Sequence, residues 1–183
     1  SIYEQDTITH FSPELWAKRH DRVKKMMSEK GVDALLLSQP NNVRYISHAN
    51  QQWVVHGRDG IFFFVDKNID VTMVSAATKN AYEIHDDRMP WFKKNVPATV
   101  AANLYAQPKE WAKAFAGVIS DAGVKSVGVD TMSIEVLDEV RRLCPDVKII
   151  GVAHTLEECH RILFPEEIVL MEEAARVASM SVA

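Results

Sequence analysis

The stretch RHDRVKKMMSEKGVDALLLSQPNNVRYIS, Arg19–Ser47, decides the fold class. Its first half is charged, with apolar residues at helical spacing; its second half opens on an apolar run. Upstream, Ser12-Pro13-Glu14 supplies a serine N-cap, a proline where the first turn has no N–H to satisfy, and an acid at the positive end of the helix dipole. The helix so begun predicts an inner face of Leu15, Val23, Met26 and Met27, and it ends at Gly31, where a left-handed residue is favoured. Val32–Leu37 then reads as a buried strand. Gln39–Asn42 reads as a turn, and Val43–Ile46 as extended or short helical structure.

Working outward, helices alternate with short apolar strands. A polar loop, His48 to Gly60, is interrupted by Trp53-Val54-Val55. Ile61–Val65 and Val71–Val74 flank Asp66-Lys67-Asn68 as a hairpin. A helix is expected over Ala76–Ile84, and no regular structure over Asp86–Ala106, where Pro90 and Pro97 intervene. A helix from Pro108 to near Gly123, a strand Val124–Val129, a helix Ser133–Cys144 with an Ile134, Val136, Leu137, Val140 stripe, and a strand Val147–Ile150 follow. Thr155 is expected to cap a short helix, with Glu158 completing a capping box. Finally, Pro165, Glu166 and Glu167 open an amphipathic helix carrying Ile168, Met171, Ala175 and Val182. That helix has no stop signal before Ala183, so the chain is expected to run on into another domain. The alternation predicts an α/β fold: a mixed sheet between helices, three layers deep.

Composition narrows the function classes. The 183 residues suit one domain, with 47% apolar and 25% charged residues as in globular proteins. A net charge of −4 offers no basic footprint for nucleic acid. Cys144 and Cys159 are too few for a disulfide framework and lack metal-ligand spacing, which predicts reduced, inert thiols. No stretch approaches the roughly 20 apolar residues of a membrane span, and the N-terminus has no secretory pattern. A cytoplasmic protein is expected.

No self-sufficient catalytic constellation emerges, and no metal ligand set. His154 can reach Glu157 or Glu158 on a helix but not His160. There is no HExxH, no glycine-rich phosphate loop and no nucleophile elbow. The best candidate for function is the loop Asn50–Gly60, where Trp53, His56 and Arg58 concentrate. A planar guanidinium fork beside ring area suits a carboxylate or a partner surface. The competing reading has Trp53 capping the core and Arg58 paired with Asp59 or Asp66 in solvent.

Arg19–Ser47 also resembles the opening of the creatinase/prolidase N-terminal domain. Asp33, Ala34, Leu36 and Leu37 follow its strand pattern D-A-x-L-L, and Pro40, Asn42, Tyr45, Ile46 and Ser47 follow P-x-N-x-x-Y-[LIF]-[TS]; His48 stands where the family usually has glycine. The closing stretch resembles the family's interdomain junction through Arg161, Glu167, Ile168, Met171, Ala174 and Ala175, with Leu163 and Phe164 departing from the usual Lys-Ser.

The resemblance implies a three-layer α/β domain of ribonuclease-H-like arrangement over residues 1–160. Residues 161–183 would be a linker and the first helix of a pita-bread catalytic domain. The metal ligands of such proteins lie in that second domain, where two divalent ions (Mn, Co or Zn) activate water for amide hydrolysis; this chain alone would be inactive. It also implies a homodimer in which the N-terminal domain's loop reaches the neighbouring active site. Creatinase and its lyase-like relatives carry a Phe-Gly-Arg element in that loop, and His56-Gly57-Arg58 is similar to it, with histidine replacing the cation-facing ring. Arg58, with His56 and Trp53, would then line the partner's substrate pocket, while Asn42 and Tyr45 would support the strand end. The substrate class is an Xaa-Pro peptide or, as an alternative, a small carboxylate such as creatine. A scaffold without metal ligands, and a complete small enzyme, are the rival readings.

Overall fold

The computed structural model of the protein describes residues 11–47, 61–75, 90–98 and 107–180. Helix α1 (Pro13–Lys30) leads into β1 (Ala34–Leu37) and α2 (Pro40–Ser47); then come β2 (Ile61–Asp66), β3 (Val71–Ser75) and β4 (Phe92–Pro97). Helix α3 (Pro108–Ala122), β5 (Ser126–Val129), α4 (Ile134–Leu143), β6 (Lys148–Gly151), α5 (Ala153–Arg161) and α6 (Pro165–Met180) complete the described elements. The six strands form one sheet in the order β4-β3-β2-β1-β5-β6. β1 runs antiparallel to β2 and parallel to β5; β2 and β3 are antiparallel, while β4 and β6 pair in parallel with β3 and β5.

Side-chain alternation along the strands builds two cores. Leu35, Leu37, Phe63, Val65 and Met73 face α1, α2 and α5, meeting Val23, Met26, Ile46 and Leu156. Ala34, Leu36, Phe64, Val74 and Val127 face α3 and α4, meeting Trp111, Phe115, Val136 and Val140. The result is the expected three-layer α/β fold around a mixed sheet. β5 closes tightly on β1: a Cβ at Gly128 would lie 2.9 Å from both Leu35 Cδ2 and Val152 Cγ1.

Local chemistry explains most boundaries. Ser12 Oγ accepts from Leu15 N at 3.1 Å, and Gly31 closes α1 with φ +65°. Ser133 Oγ accepts from Val136 N to start α4. In the β2–β3 turn, Asp66 Oδ1 accepts the N–H groups of Asn68 and Asp70, while Ile69 sits at φ +66° with its side chain 1% exposed. A β-branched residue is strained there, and burial of its side chain holds it.

Four expectations need correction. Asp86–Ala106 is not wholly irregular, because Phe92–Pro97 forms the edge strand β4, whose Lys93 and Lys94 are exposed as edge protection. Gln39–Asn42 is not a turn; α2 begins at Pro40, capped from elsewhere as described below. Thr155 does not cap α5, which starts two residues earlier, where buried Val152 passes straight from sheet pairing into the Leu156 N–H to Val152 carbonyl bond. Ile134 is 75% exposed rather than part of the inner stripe, which Val136 and Val140 carry. The helix expected at Ala76–Ile84 lies outside the described residues.

Candidate functional site

Trp53, His56 and Arg58 lie outside the described residues, so the described frame of their loop is its two ends, Ser47 closing α2 and Ile61 opening β2. The first end is pinned by aromatic side chains. Trp91 Nε1 donates to the Ser47 carbonyl at 3.2 Å, and His20 Nε2 lies 2.9 Å from the Ile46 carbonyl. A carbonyl only accepts, so Nε2 of His20 carries the proton. The His20 ring meets Trp91 edge-on at 4.8 Å, and Trp16 packs 5.1 Å from Trp91. Burial pushes the His20 pKa below the ordinary histidine value, so the ring is neutral at neutral pH.

A second polar cluster occupies the carboxyl ends of the parallel strands β1 and β5, where α/β sheets commonly place functional groups. Here the groups are committed to structure. Asp130 Oδ1 accepts from Ser38 N at 3.0 Å and from Thr131 N at 2.6 Å; Oδ2 accepts from Gln39 N at 2.9 Å and Asn42 Nδ2 at 3.0 Å. One carboxylate thus closes the β1–α2 connection and bonds the first turn of α2. A carboxylate accepts only, so Nδ2 of Asn42 must face Asp130 and Oδ1 must face His160, whose Nε2 donates across 2.9 Å. Asn42 is buried, and Tyr45 Oη reaches the Cys159 carbonyl at 3.4 Å. Asn42 thus braces the carboxyl end of β5, whereas Tyr45 ties α2 to α5 rather than to a strand end.

The third feature joins α1 to the start of α6. Arg19 Nε donates to Glu167 Oε1 at 2.6 Å, with side chains 11% and 3% exposed. The other oxygen of Glu167 accepts from Phe164 N at 2.7 Å, closing its own helix start. The Arg19 guanidinium lies 4.4 Å from the Tyr45 ring centroid and 4.1 Å from that of Phe11. Arg22 donates to the Cys159 and Ile162 carbonyls at 2.7 and 2.6 Å and stacks 3.7 Å from the Phe164 ring.

A cleft of about 270 Å³ lies beside this junction, lined by Arg22, Lys25, Glu29, Glu158 and Cys159 among others. It offers no reactive group: Arg22 is engaged with carbonyls, and burial pushes the Cys159 thiol up, away from the thiolate a nucleophile requires. Cys144 shifts the same way, and both cysteines are free. His154 approaches Glu157 at 3.9 Å and Glu158 at 3.7 Å on an exposed helix face, while His160 turns to Asn42, as the helical spacing required. Among the described residues, no group of three or more His, Cys, Asp or Glu side chains could hold a metal ion. Among them too, no helix is long and apolar enough to cross a membrane.

Residues 19–162 match the model of the creatinase/prolidase N-terminal domain. The chain belongs to that family. Creatinase from Bacillus sp. (strain B-0618) is 24% identical over 179 residues, covering 93% of this chain and 39% of creatinase. The chain thus spans about two fifths of that relative's length. Among solved structures, the Xaa-Pro dipeptidase from Bacillus anthracis superposes with a TM-score of 0.63 at 16% identity, covering 91% of this chain and 42% of that one. The N-terminal domain of the cytoplasmic peptidase PepQ from Mycobacterium tuberculosis gives 0.55 at 19% identity, covering 78% and 98%. These likenesses establish the shared fold.

Sequence reading had not assigned roles to Asp130, His160, His20 or the Arg19–Glu167 pair. Glu167 was legible, standing three residues after Phe164 as a capping acid does. Asp130 carried no local signal, since three of its four partners lie about 90 residues away.

Proposed function

We propose that this chain is the non-catalytic N-terminal domain of a dinuclear-metal hydrolase of the Xaa-Pro peptidase type. In this reading it supplies part of a homodimer interface and, through the loop carrying Trp53, His56 and Arg58, part of the neighbouring subunit's substrate pocket. The observation that carries it is the family match over residues 19–162 in a chain spanning only 39% of creatinase. The catalytic metals, two divalent ions such as Mn, Co or Zn, would be held by residues outside this chain. Arg58 would offer a bidentate fork to a substrate carboxylate.

A second reading, hydrolysis or lysis of a small carboxylate substrate, is favoured by the creatinase relative together with His56-Gly57-Arg58. The test uses the full-length parent, assayed against proline dipeptides and creatine with sedimentation analysis in parallel. Arg58→Ala is expected to lower kcat/KM at least tenfold with the dimer intact. An unchanged kcat/KM removes Arg58 from the pocket; a parent inactive on both substrates with added metal overturns the hydrolase reading.

A further inference from the structure

Glu167 is the buried residue of α6. Beyond it, described residues of the helix are exposed, except for half-buried Leu170 and Glu173. The apolar side chains it presents, Ile168 and Met171 on one side and Val169, Val177 and Met180 on the other, are 45–67% exposed. At 100° per residue these two sets lie on roughly opposite faces. Among the described residues, the side-chain contacts from other elements to this helix gather at its first turn.

Those contacts come from α1. Lys18, Arg19 and Arg22 occupy adjacent positions on one helix surface and clasp the segment Ile162–Glu167. The grips differ in kind. Arg19 makes a buried ion pair to Glu167, and its guanidinium lies close to the Tyr45 ring. Arg22 ties down two backbone carbonyls and covers the Phe164 ring. Lys18 pairs with Glu166 in the open, where an ion pair contributes little. Glu167 has a double task, since one oxygen closes α6 and the other docks that closed end onto α1. Because the capping group of this helix is also its anchor, a swivel of its first turn against α1 breaks the Arg19–Glu167 bond.

We infer that α1 is the mount that fixes the trajectory of α6, and that Arg19 and Glu167 are the positioning residues of this joint. The pair sets where α6 points before anything covers its two apolar faces. The inference does not depend on the proposed hydrolase function, because its readout is a distance within this chain.

The test places spin labels at Lys25→Cys and Glu172→Cys in a Cys144→Ser, Cys159→Ser background and measures the distance distribution by pulsed electron resonance. A single narrow distribution is expected, unchanged in width between low and high salt. Glu167→Gln keeps an acceptor for the Phe164 N–H but loses the ion pair, and should widen the distribution at least twofold; Arg19→Met should do the same, whereas Lys18→Met should leave it narrow. Circular dichroism melting confirms that each variant remains folded, and if Arg19→Met does not, Glu167→Gln decides. A broad distribution in the parent, an unchanged width in Glu167→Gln, or a width that grows with salt as an exposed pair would make it grow, overturns the inference.

Discussion

Asn42 Nδ2 and Asp130 Oδ2 meet at 3.0 Å in the interior, 88 positions apart in the chain. With the bond from His160 to Asn42 Oδ1, this contact ties β5, α2 and α5 to one buried amide. Asp130→Ala would strand the N–H groups of Ser38, Gln39 and Thr131 together with the Asn42 amide. The expected loss is about 3–5 kcal/mol, because four bonds to a carboxylate acceptor disappear together and the buried Asn42 amide is left without its partner. Urea unfolding measures it; a loss below about 1 kcal/mol would show that water replaces the carboxylate.

Asn42→Asp puts a second carboxylate against the first. Two such groups cannot both ionise cheaply, so one folded-state pKa rises above its unfolded value. The deficit relative to the parent is then present at neutral pH and shrinks as pH falls toward the unfolded carboxylate value of about 4. Unfolding curves at pH 7 and pH 4.5 should differ in that direction, and a deficit independent of pH would contradict it.

Gly128→Ala tests the closeness of β5 to β1. Its methyl would meet Leu35 Cδ2 and Val152 Cγ1 at 2.9 Å, closer than real carbons pack. Overpacking of this kind costs about 1–3 kcal/mol. A paired Val152→Ala should recover part of it, and a neutral Gly128→Ala would mean that the side chains yield freely.

Ile69 sets burial against backbone strain. Ile69→Ala should cost about 2–4 kcal/mol from lost burial while retaining the left-handed conformation. Ile69→Gly loses slightly more apolar area but relieves strain of about 1 kcal/mol. The expected result is that glycine is no worse than alanine, the reverse of the order in regular structure. Glycine more than 1 kcal/mol worse in thermal melts would show that the turn is unstrained.

Asp33 gives the protein an acid-sensitive bond. Its carboxylate accepts from Lys125 N at 2.9 Å and Ser126 N at 3.0 Å, and these groups hold its pKa below the usual carboxylate value. A depressed folded pKa means that the stabilisation is complete above the unfolded value of about 3.9 and disappears as pH falls through the folded one. Asp33→Asn should therefore flatten the stability profile below pH 4 while lowering stability at neutral pH. Parallel profiles for variant and parent would contradict this assignment.

What the sequence revealed about the fold follows from where each signal resides. Ser12, Gly31 and Ser133 cap helices with their own atoms or backbone, so local reading placed those boundaries. Helix α2 is bonded at its start by Asp130, and no local pattern can announce a partner that distant. β4 reads FKKNVP because, among the described residues, it has no second neighbour to bury against, and the lysines that protect such an edge disguise it as a loop. Thr155 and Glu158 have capping-box spacing, but packing of Val152 and Leu156 started the helix earlier. For the candidate site, the resemblance pointed to Arg58, whereas the pins at Ile46 and Ser47 come from His20 and Trp91 on distant elements and carried no sequence pattern.

The long reach of Asp130 has a consequence for how the protein is made. β1 finds its antiparallel neighbour β2 within about thirty residues, as Leu35 pairs with Val65. Its other neighbour, and the carboxylate that α2 needs, are translated much later. At about 5–20 residues per second, Asn42 precedes Asp130 by about 4–18 s. During that interval one side of β1 is an open edge, and Asn42 lacks the carboxylate it will later bond. We expect nascent chains arrested before Asp130 to be cleaved by protease within Pro40–Ser47, and chains that expose Val152 and His160 to be protected there.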